Sequence, residues 1–138
     1  MAKLNPYIHF KDNAREAMDF YKSVFGGELT VSTFKEGMGQ DGPSADNIMH
    51  AMLVVGPEIT IMASDTPPEM EYGARGGMSI SLSGVSSDEE LLKGYWDKLA
   101  EGANITVPVA TAPWGDTFGM LTDKFGIDWM VNIAGKKE

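Results

Sequence analysis

The sequence predicts an α+β fold made of two copies of a β-α-β-β-β module. Two observations predict it: strand-like and helix-like segments follow the same order twice, and corresponding landmarks recur 68 to 76 residues apart. A repeat of that length is typical of a duplicated half-domain rather than a solenoid. Because a helix covers only one face of a sheet, we expect the remaining faces to curl toward each other into a cup-shaped mixed sheet with the helices outside.

The first module is predicted over residues 1–66. Its helix begins at a capping-box pattern, Asn13-Ala14-Arg15-Glu16, whose side chains can satisfy N–H groups of the first turn. The helix ends at Gly26-Gly27, because glycine enters the left-handed conformation cheaply. A loop is predicted over residues 36–45, which carry three glycines and a proline. Strands are predicted at residues 7–10, 29–34, 48–55 and 59–64.

The second module is predicted over residues 77–138, after a Pro/Gly-rich linker at residues 65–77. Another capping-box pattern, Ser87-Asp88-Glu89-Glu90, begins its helix, and Gly102 ends it. The apolar face of this helix is predicted to comprise Leu91, Leu92, Tyr95, Trp96 and Leu99. Strands are predicted at residues 78–83, 104–109, 117–122 and 127–133. The 138 residues, 43% of them apolar, are expected to form one domain without a metal or disulfide staple.

The composition excludes several classes of function. A formal net charge of −9 provides no positive field for nucleic acid or an anionic membrane, so neither partner is expected. The absence of cysteine excludes disulfides, thiolate catalysis and Cys-ligated metals. The N-terminal residues lack the apolar segment of a signal peptide, and no apolar run approaches the roughly 18 residues of a membrane span. A cytoplasmic protein is expected.

Several segments resemble the PhnB-like proteins of the vicinal oxygen chelate superfamily, which also holds glyoxalase I, bleomycin- and fosfomycin-resistance proteins and extradiol dioxygenases. The segments that carry the resemblance are Tyr7-Ile8-His9-Phe10, Glu16-Ala17-Met18-Asp19-Phe20-Tyr21, Val24-Phe25-Gly26-Gly27-Glu28, Met62-Ala63-Ser64-Asp65 and Phe118-Gly119-Met120-Leu121-Thr122-Asp123-Lys124-Phe125-Gly126-Ile127-Asp128-Trp129-Met130-Val131-Asn132. The resemblance implies paired βαβββ modules, a concave sheet around a small-molecule site, and a homodimer. Pro113 and Asp116, around Trp114-Gly115, depart from the family pattern.

The resemblance also locates the metal ligands of enzymatic members of the superfamily. Carried over residue by residue, their positions fall on Asn5 (or Pro6), Met62, Ser79 and Met130. Thioether and hydroxyl groups are poor ligands for a hard or borderline divalent ion, which takes imidazole or carboxylate. We therefore predict no metal and no cofactor.

The cup is predicted to be lined by eight side chains: Tyr7, His9, His50, Met62, Ser79, Ser81, Trp114 and Met130. The serines alternate with Met78, Ile80 and Leu82, which are expected to pack on the helix. Alternatives stay open: the serines face solvent on an open sheet, the methionines fill the core, and Trp114 contacts a ligand, a partner chain or its own surroundings. Trp129 alternates away from Met130 and is predicted to lie in the core.

Two hypotheses of function follow. The first is a metal-free homodimer that binds a small, moderately apolar organic molecule in the cup, with its dimer contact at the first strand and at residues 65–77. The second is a lyase, isomerase or dioxygenase that uses a relocated metal or acid–base groups, with His9, His50 and Asp116 as candidates and Asp65 and Asp123 in support. No glycine-rich loop of an S-adenosylmethionine site follows a first parallel strand.

Overall fold

The computed structural model describes residues 4–39, 41–42, 44–67 and 78–135, and it confirms the α+β class. The chain divides into two compact units, Met1–Ala74 and Arg75–Glu138, and each holds one four-stranded mixed sheet. In the part of the chain so described, no helix is long and apolar enough to cross a membrane.

The first unit contains four strands and two helices. In chain order they are β1 (Tyr7–Phe10), α1 (Ala14–Phe25), β2 (Glu28–Thr33), α2 (Phe34–Met38), β3 (Ile48–Val55) and β4 (Ile59–Asp65). The strand order is β1-β4-β3-β2, with β1 parallel to β4 and the other pairs antiparallel. Helix α1 buries residues at the predicted helical spacing: Ala14, Ala17, Met18, Tyr21, Val24 and Phe25.

The start of α1 differs from the prediction. The side chain of Asn13 makes no capping hydrogen bond. Instead, the buried Asp65 at the end of β4 accepts hydrogen bonds from the N–H of Ala14 at 2.9 Å and from the N–H of Ile48 at 2.8 Å. Asp65 was predicted to begin the linker, but it joins the first helix to two strands. Residues 68–77 of that linker lie outside the described residues.

A short helix replaces the first part of the predicted loop over residues 36–45. The Oγ1 of Thr33 accepts from the Glu36 N–H at 3.1 Å, and Oε1 of Glu36 accepts from the Thr33 N–H at 3.0 Å. These bonds form a capping box and hold the pKa of Glu36 below its ordinary value. Within α2, a Cβ added at Gly37 would meet the flexible end of the Met49 side chain, which would have to shift.

The second unit repeats the sheet topology. Its elements are β5 (Ile80–Gly84), a 3₁₀ turn (Ser86–Asp88), α3 (Glu89–Leu99), β6 (Asn104–Thr111), β7 (Thr117–Thr122) and β8 (Asp128–Ile133). The strand order is β5-β8-β7-β6, with β5 parallel to β8. The second capping box is absent: Asp88 accepts from the Val85 N–H at 3.0 Å within the turn, and α3 starts at Glu89.

The core of the second unit follows the predicted pattern with three exceptions, one of them Tyr95, which was predicted on the apolar helix face and is only half-buried. Trp129 is 1% exposed, which confirms its placement in the core. From α3, Leu92, Trp96 and Leu99 are buried, whereas Leu91 is exposed. Met78 was expected to pack on the helix, but it precedes β5 and is 84% exposed. A side chain outside the strand is not bound by the alternation of the strand.

Candidate functional site

The first sheet has one face packed against α1 and one face that α1 does not cover, here called the first helix-free face. Ile8 and Phe10 of β1 are buried on the α1 side, whereas Tyr7 and His9 point the other way and are exposed. On β3 the same alternation buries Ala51 and leaves His50 partly exposed. The parity predicted for Tyr7 and His9 therefore agrees with the burial of β1.

The strand register arranges the first helix-free face in two rows across the sheet. One row runs from Tyr7 to Met62, Met52 and Thr30. The next row runs from His9 to Ser64, then to His50 and Ser32; the Ala51–Ala63 pair fixes His50 beside Ser64. We call these the tyrosine row and the histidine row.

Tyr7 brings the two histidines of the protein into one cluster. Its ring centroid lies 5.2 Å from that of His9, with the planes 38° apart. The ring centroid of His50 lies 6.0 Å away, with the planes 27° apart. Tyr7 is 44% exposed, so part of this aromatic surface is open to contact. Four of the eight predicted lining residues thus lie together: Tyr7, His9, His50 and Met62.

The described residues do not fit the metal ion of enzymatic relatives. Met62 lies between Tyr7 and Met52, and Met130 lies between Ser81 and Met120, so thioethers occupy two carried-over ligand positions. Thioethers suit soft ions such as Cu(I), not the hard or borderline ions that imidazole and carboxylate hold. Within the ranges described, no three His, Asp or Glu side chains are grouped as a metal site.

The second sheet also has a face not covered by its helix. Ser81 pairs with Met130, and Met130 with Met120. In the neighbouring row, Ser83 pairs with Asn132, and Asn132 with Phe118. Ser79 precedes β5, so no strand register places it on this face.

Sequence reasoning missed several side chains that the register places beside the predicted ones, among them Met52, Ser64, Met120, Phe118 and Asn132. The tight turn before β8 could have identified the last three, because a short hairpin fixes which residues of β7 and β8 face each other.

Asp116 is tied to three donors and positions Trp114. Its Oδ1 accepts from the Gly135 N–H at 3.0 Å, and its Oδ2 accepts from the Asn132 side chain at 3.2 Å. These two bonds, and a third from the Trp114 side chain, hold the pKa of Asp116 below its ordinary value. Trp114 is 62% exposed and lies edge-on to Phe118, with centroids 5.7 Å apart. Asp116 is thus an anchored anion beside the exposed Trp114, which packs on the half-buried Phe118.

We expect the contact between Asp116 and Trp114 to survive mild acidification. Since the pKa is lowered, the ionised form persists through the ordinary carboxyl range and is lost only below it. The indole N–H resonance of Trp114 should therefore stay in place from about pH 7 to about pH 5 and move only below about pH 4. NMR spectra across this range test it, with the resonance assigned from Trp114→Phe. In Asp116→Asn the resonance should no longer move; an unchanged titration there would contradict the assignment.

The other two candidate aspartates hold backbone together. The two carboxylate oxygens of Asp65 accept hydrogen bonds from the N–H groups of Ala14 and Ile48. Asp123 accepts from the N–H groups of Phe125 and Ile127 and from Nε1 of Trp129, at 2.8, 3.0 and 2.9 Å. Both are buried. The geometry of both carboxylates supports a structural role rather than the supporting catalytic role that the sequence suggested.

Comparison with known proteins assigns the chain to a family. The family model described as 3-demethylubiquinone-9 3-methyltransferase matches residues 2–132. The chain belongs to this family. Among solved structures, the chain is similar to protein PA1353 from Pseudomonas aeruginosa, with 37% identity, a TM-score of 0.85, and coverage of 99% of this chain and 100% of that one.

Two further structures extend the comparison: the first confirms the PhnB-like resemblance, and the second shares the fold. A putative 3-demethylubiquinone-9 3-methyltransferase, PhnB protein, from Bacillus cereus is 25% identical, with a TM-score of 0.72 and coverage of 96% and 100% of the two chains. The fosfomycin resistance protein FosX from Mesorhizobium loti is 10% identical, with a TM-score of 0.58 and coverage of 99% and 94%. At that identity the FosX likeness shows the fold alone, which is the fold that the sequence predicted.

Proposed function

We propose that this protein binds a small organic molecule on the first helix-free face, without the metal ion of enzymatic relatives. The observation that carries the proposal is the cluster of Tyr7, His9 and His50, which places exposed rings beside Met62 and Met52. Aromatic rings offer large apolar area at low entropic cost, and methionine adapts to different ligand shapes. The uncovered face of the second sheet carries similar chemistry within its own unit, with Ser81, Met130 and the Trp114–Phe118 pair.

The energetics require a ligand that contacts both rows. Covering the exposed part of one tyrosine, roughly 100 Å², stabilises a complex by about 2–3 kcal/mol. A dissociation constant of 1 mM already needs about 4 kcal/mol. A ligand resting on Tyr7 alone would therefore bind too weakly to detect easily. Contacts to Met62 or Met52, and a hydrogen bond from the histidine row, bring the affinity into a measurable range.

Replacing Tyr7 by leucine is expected to weaken ligand binding at least tenfold, because the shared ring between His9 and His50 is lost. A thermal-shift screen of small organic compounds identifies the ligand, and titration measures its dissociation constant on both proteins. Leu91→Ala, which alters an exposed apolar side chain on α3, is the control and should leave binding unchanged. A screen in which no compound raises the Tm would contradict the proposal, as would a ligand that binds Tyr7→Leu undiminished.

An enzymatic function is the second candidate, because His9 and His50 meet around one tyrosine. Two imidazoles on one face of the sheet can serve as general acid and base for a lyase or isomerase, or take part in a relocated metal site for a dioxygenase. Elemental analysis of the purified protein separates the candidates: stoichiometric nickel, zinc, iron or manganese favours the enzyme. The methyl transfer in the family's description is tested by adding S-adenosylmethionine to the same screen. The loop after β1 is Lys11-Asp12-Asn13, without the glycines of such a site.

We also propose that the protein is a homodimer. Within the described residues, β1 pairs with β4 and lies at the edge of its sheet, and an edge strand is a common place for a second chain to dock. A partner copy related by two-fold symmetry would cover this edge in a closed assembly. Sedimentation velocity at micromolar concentration is expected to give a mass of twice 14.9 kDa. A single species at 14.9 kDa would contradict the dimer.

A further inference from the structure

The two rows of the first helix-free face differ in chemistry. The tyrosine row presents a phenol ring and two thioethers, from Tyr7, Met62 and Met52. The histidine row presents two imidazoles and one hydroxyl, from His9, His50 and Ser32, while Ser64 between the histidines is buried. Every neutral imidazole carries one N–H donor, and every hydroxyl carries one O–H donor. Apolar surface and hydrogen-bond donors therefore lie side by side, one strand repeat, about 7 Å, apart.

Acidic side chains are missing from both of these rows, although the chain carries 20 Asp and Glu residues and a net charge of −9. On the same face of β2, the carboxylate nearest along the strand is Glu28, which pairs with Val54 beyond the tyrosine row. It stands four residues from Ser32, about 13 Å along the strand. A negative group placed beside His50 and Ser32 meets an imidazole and a hydroxyl in a row that holds no carboxylate.

From this arrangement, and resting on the proposed function, we infer that the ligand is a planar aromatic acid. Its ring lies on the tyrosine row, against Tyr7 and the neighbouring thioethers, and its anionic group accepts hydrogen bonds from the histidine row. The ring planes of His9 and His50 stand within 38° of that of Tyr7, so the cluster favours a flat body. The backbones of His9 and His50 lie two strand spacings apart, about 10 Å. That width accommodates a ligand with one aromatic ring and one acid group.

Four probes on the unaltered protein test each part of the inference. Benzoate is planar and anionic, benzamide is planar and neutral, cyclohexanecarboxylate is anionic but not planar, and benzylamine is planar and cationic. Titration followed by NMR is expected to show benzoate binding at least tenfold more tightly than each of the others, with shifts at Tyr7, His9 and His50. If benzamide or benzylamine binds as tightly as benzoate, the inference that the ligand carries an acid group is wrong. If cyclohexanecarboxylate binds as tightly as benzoate, the inference that the ligand has a planar ring is wrong.

Two substitutions assign the preferences to residues. His50→Phe keeps a ring but removes the donor, so it should abolish the preference for benzoate over benzamide. Tyr7→Leu removes the ring, so it should abolish the preference for benzoate over cyclohexanecarboxylate. Leu91→Ala, an exposed side chain on α3, is the control and should change neither ratio. Unchanged ratios in both variants, or benzoate shifts confined to the second sheet, would overturn the inference.

The panel also separates this inference from the proposed function. If none of the four probes binds but the compound screen yields a ligand lost in Tyr7→Leu, the ligand class is wrong and the binding function stands. If neither the panel nor the screen yields a ligand, both are wrong.

Discussion

Replacing Asp65 by alanine is expected to lower the free energy of unfolding by about 2–4 kcal/mol, because it leaves two buried N–H donors without their acceptor. Those donors belong to Ala14, at the start of α1, and to Ile48, at the start of β3. Asp65 is 2% exposed, so water does not readily replace the carboxylate. Urea denaturation followed by circular dichroism measures the change.

Two matched variants make this test specific. Asp65→Asn keeps one side-chain oxygen and should be less destabilising than alanine, since one of the two donors stays paired. Asp46→Ala removes the same charge from an exposed position and should change stability by no more than about 0.5 kcal/mol. Amide exchange at Ala14 and Ile48 should accelerate in Asp65→Ala. A loss of stability no larger than that of Asp46→Ala would contradict the role of Asp65.

The same aspartate explains why helix starts were harder to predict than helix faces. The buried residues of α1 are visible in the sequence because helical periodicity is local. Its first N–H is satisfied by a side chain 51 residues away, which no local pattern reveals. The patterns at Asn13 and Ser87 match a capping box, yet neither helix start uses one. The capping box at Thr33 and Glu36 was overlooked because glycines directly after it indicated a loop.

The candidate site shows a similar division. Alternation along one strand predicted that Tyr7 and His9 share a face, and burial agrees. Which residues stand beside them depends on pairing between strands distant in sequence, where a slip of one residue would exchange the two faces. The rows through Met52 and Ser64 therefore required the structure. For Ser79 the prediction extended the alternation of β5 too far, because the strand begins one residue later, at Ile80.

Asp116 and Asp123 show why a carboxylate near a predicted pocket is weak evidence for catalysis. Both were considered because Asp is a common acid–base residue. Asp116 is held by donors from Gly135, Asn132 and Trp114, an arrangement that favours a permanent anion over a proton carrier. Asp123 stabilises the turn between β7 and β8 by accepting hydrogen bonds from the N–H groups of Phe125 and Ile127. Hydrogen-bond partners, which the sequence does not reveal, separate these roles from catalysis.

Replacing Asp123 by alanine is expected to cost about 3–5 kcal/mol, since three donors lose one buried acceptor. Two are the backbone N–H groups of Phe125 and Ile127, which shape the turn. The third is Nε1 of Trp129, whose indole is 1% exposed. Urea denaturation measures the loss, and the near-ultraviolet circular dichroism of the buried indole should change in the same variant.

A double-mutant cycle isolates the bond between Asp123 and Trp129 from the turn. Trp129→Phe removes the indole N–H and some core volume, while the two turn bonds to Asp123 remain. Because the indole bond can be lost only once, Asp123→Ala should cost about 1–3 kcal/mol less in Trp129→Phe than in the original protein. Strictly additive losses would show that the indole bond contributes nothing. In that case Asp123 would stabilise the protein through the turn alone, and Trp129 would contribute through the burial of its apolar surface.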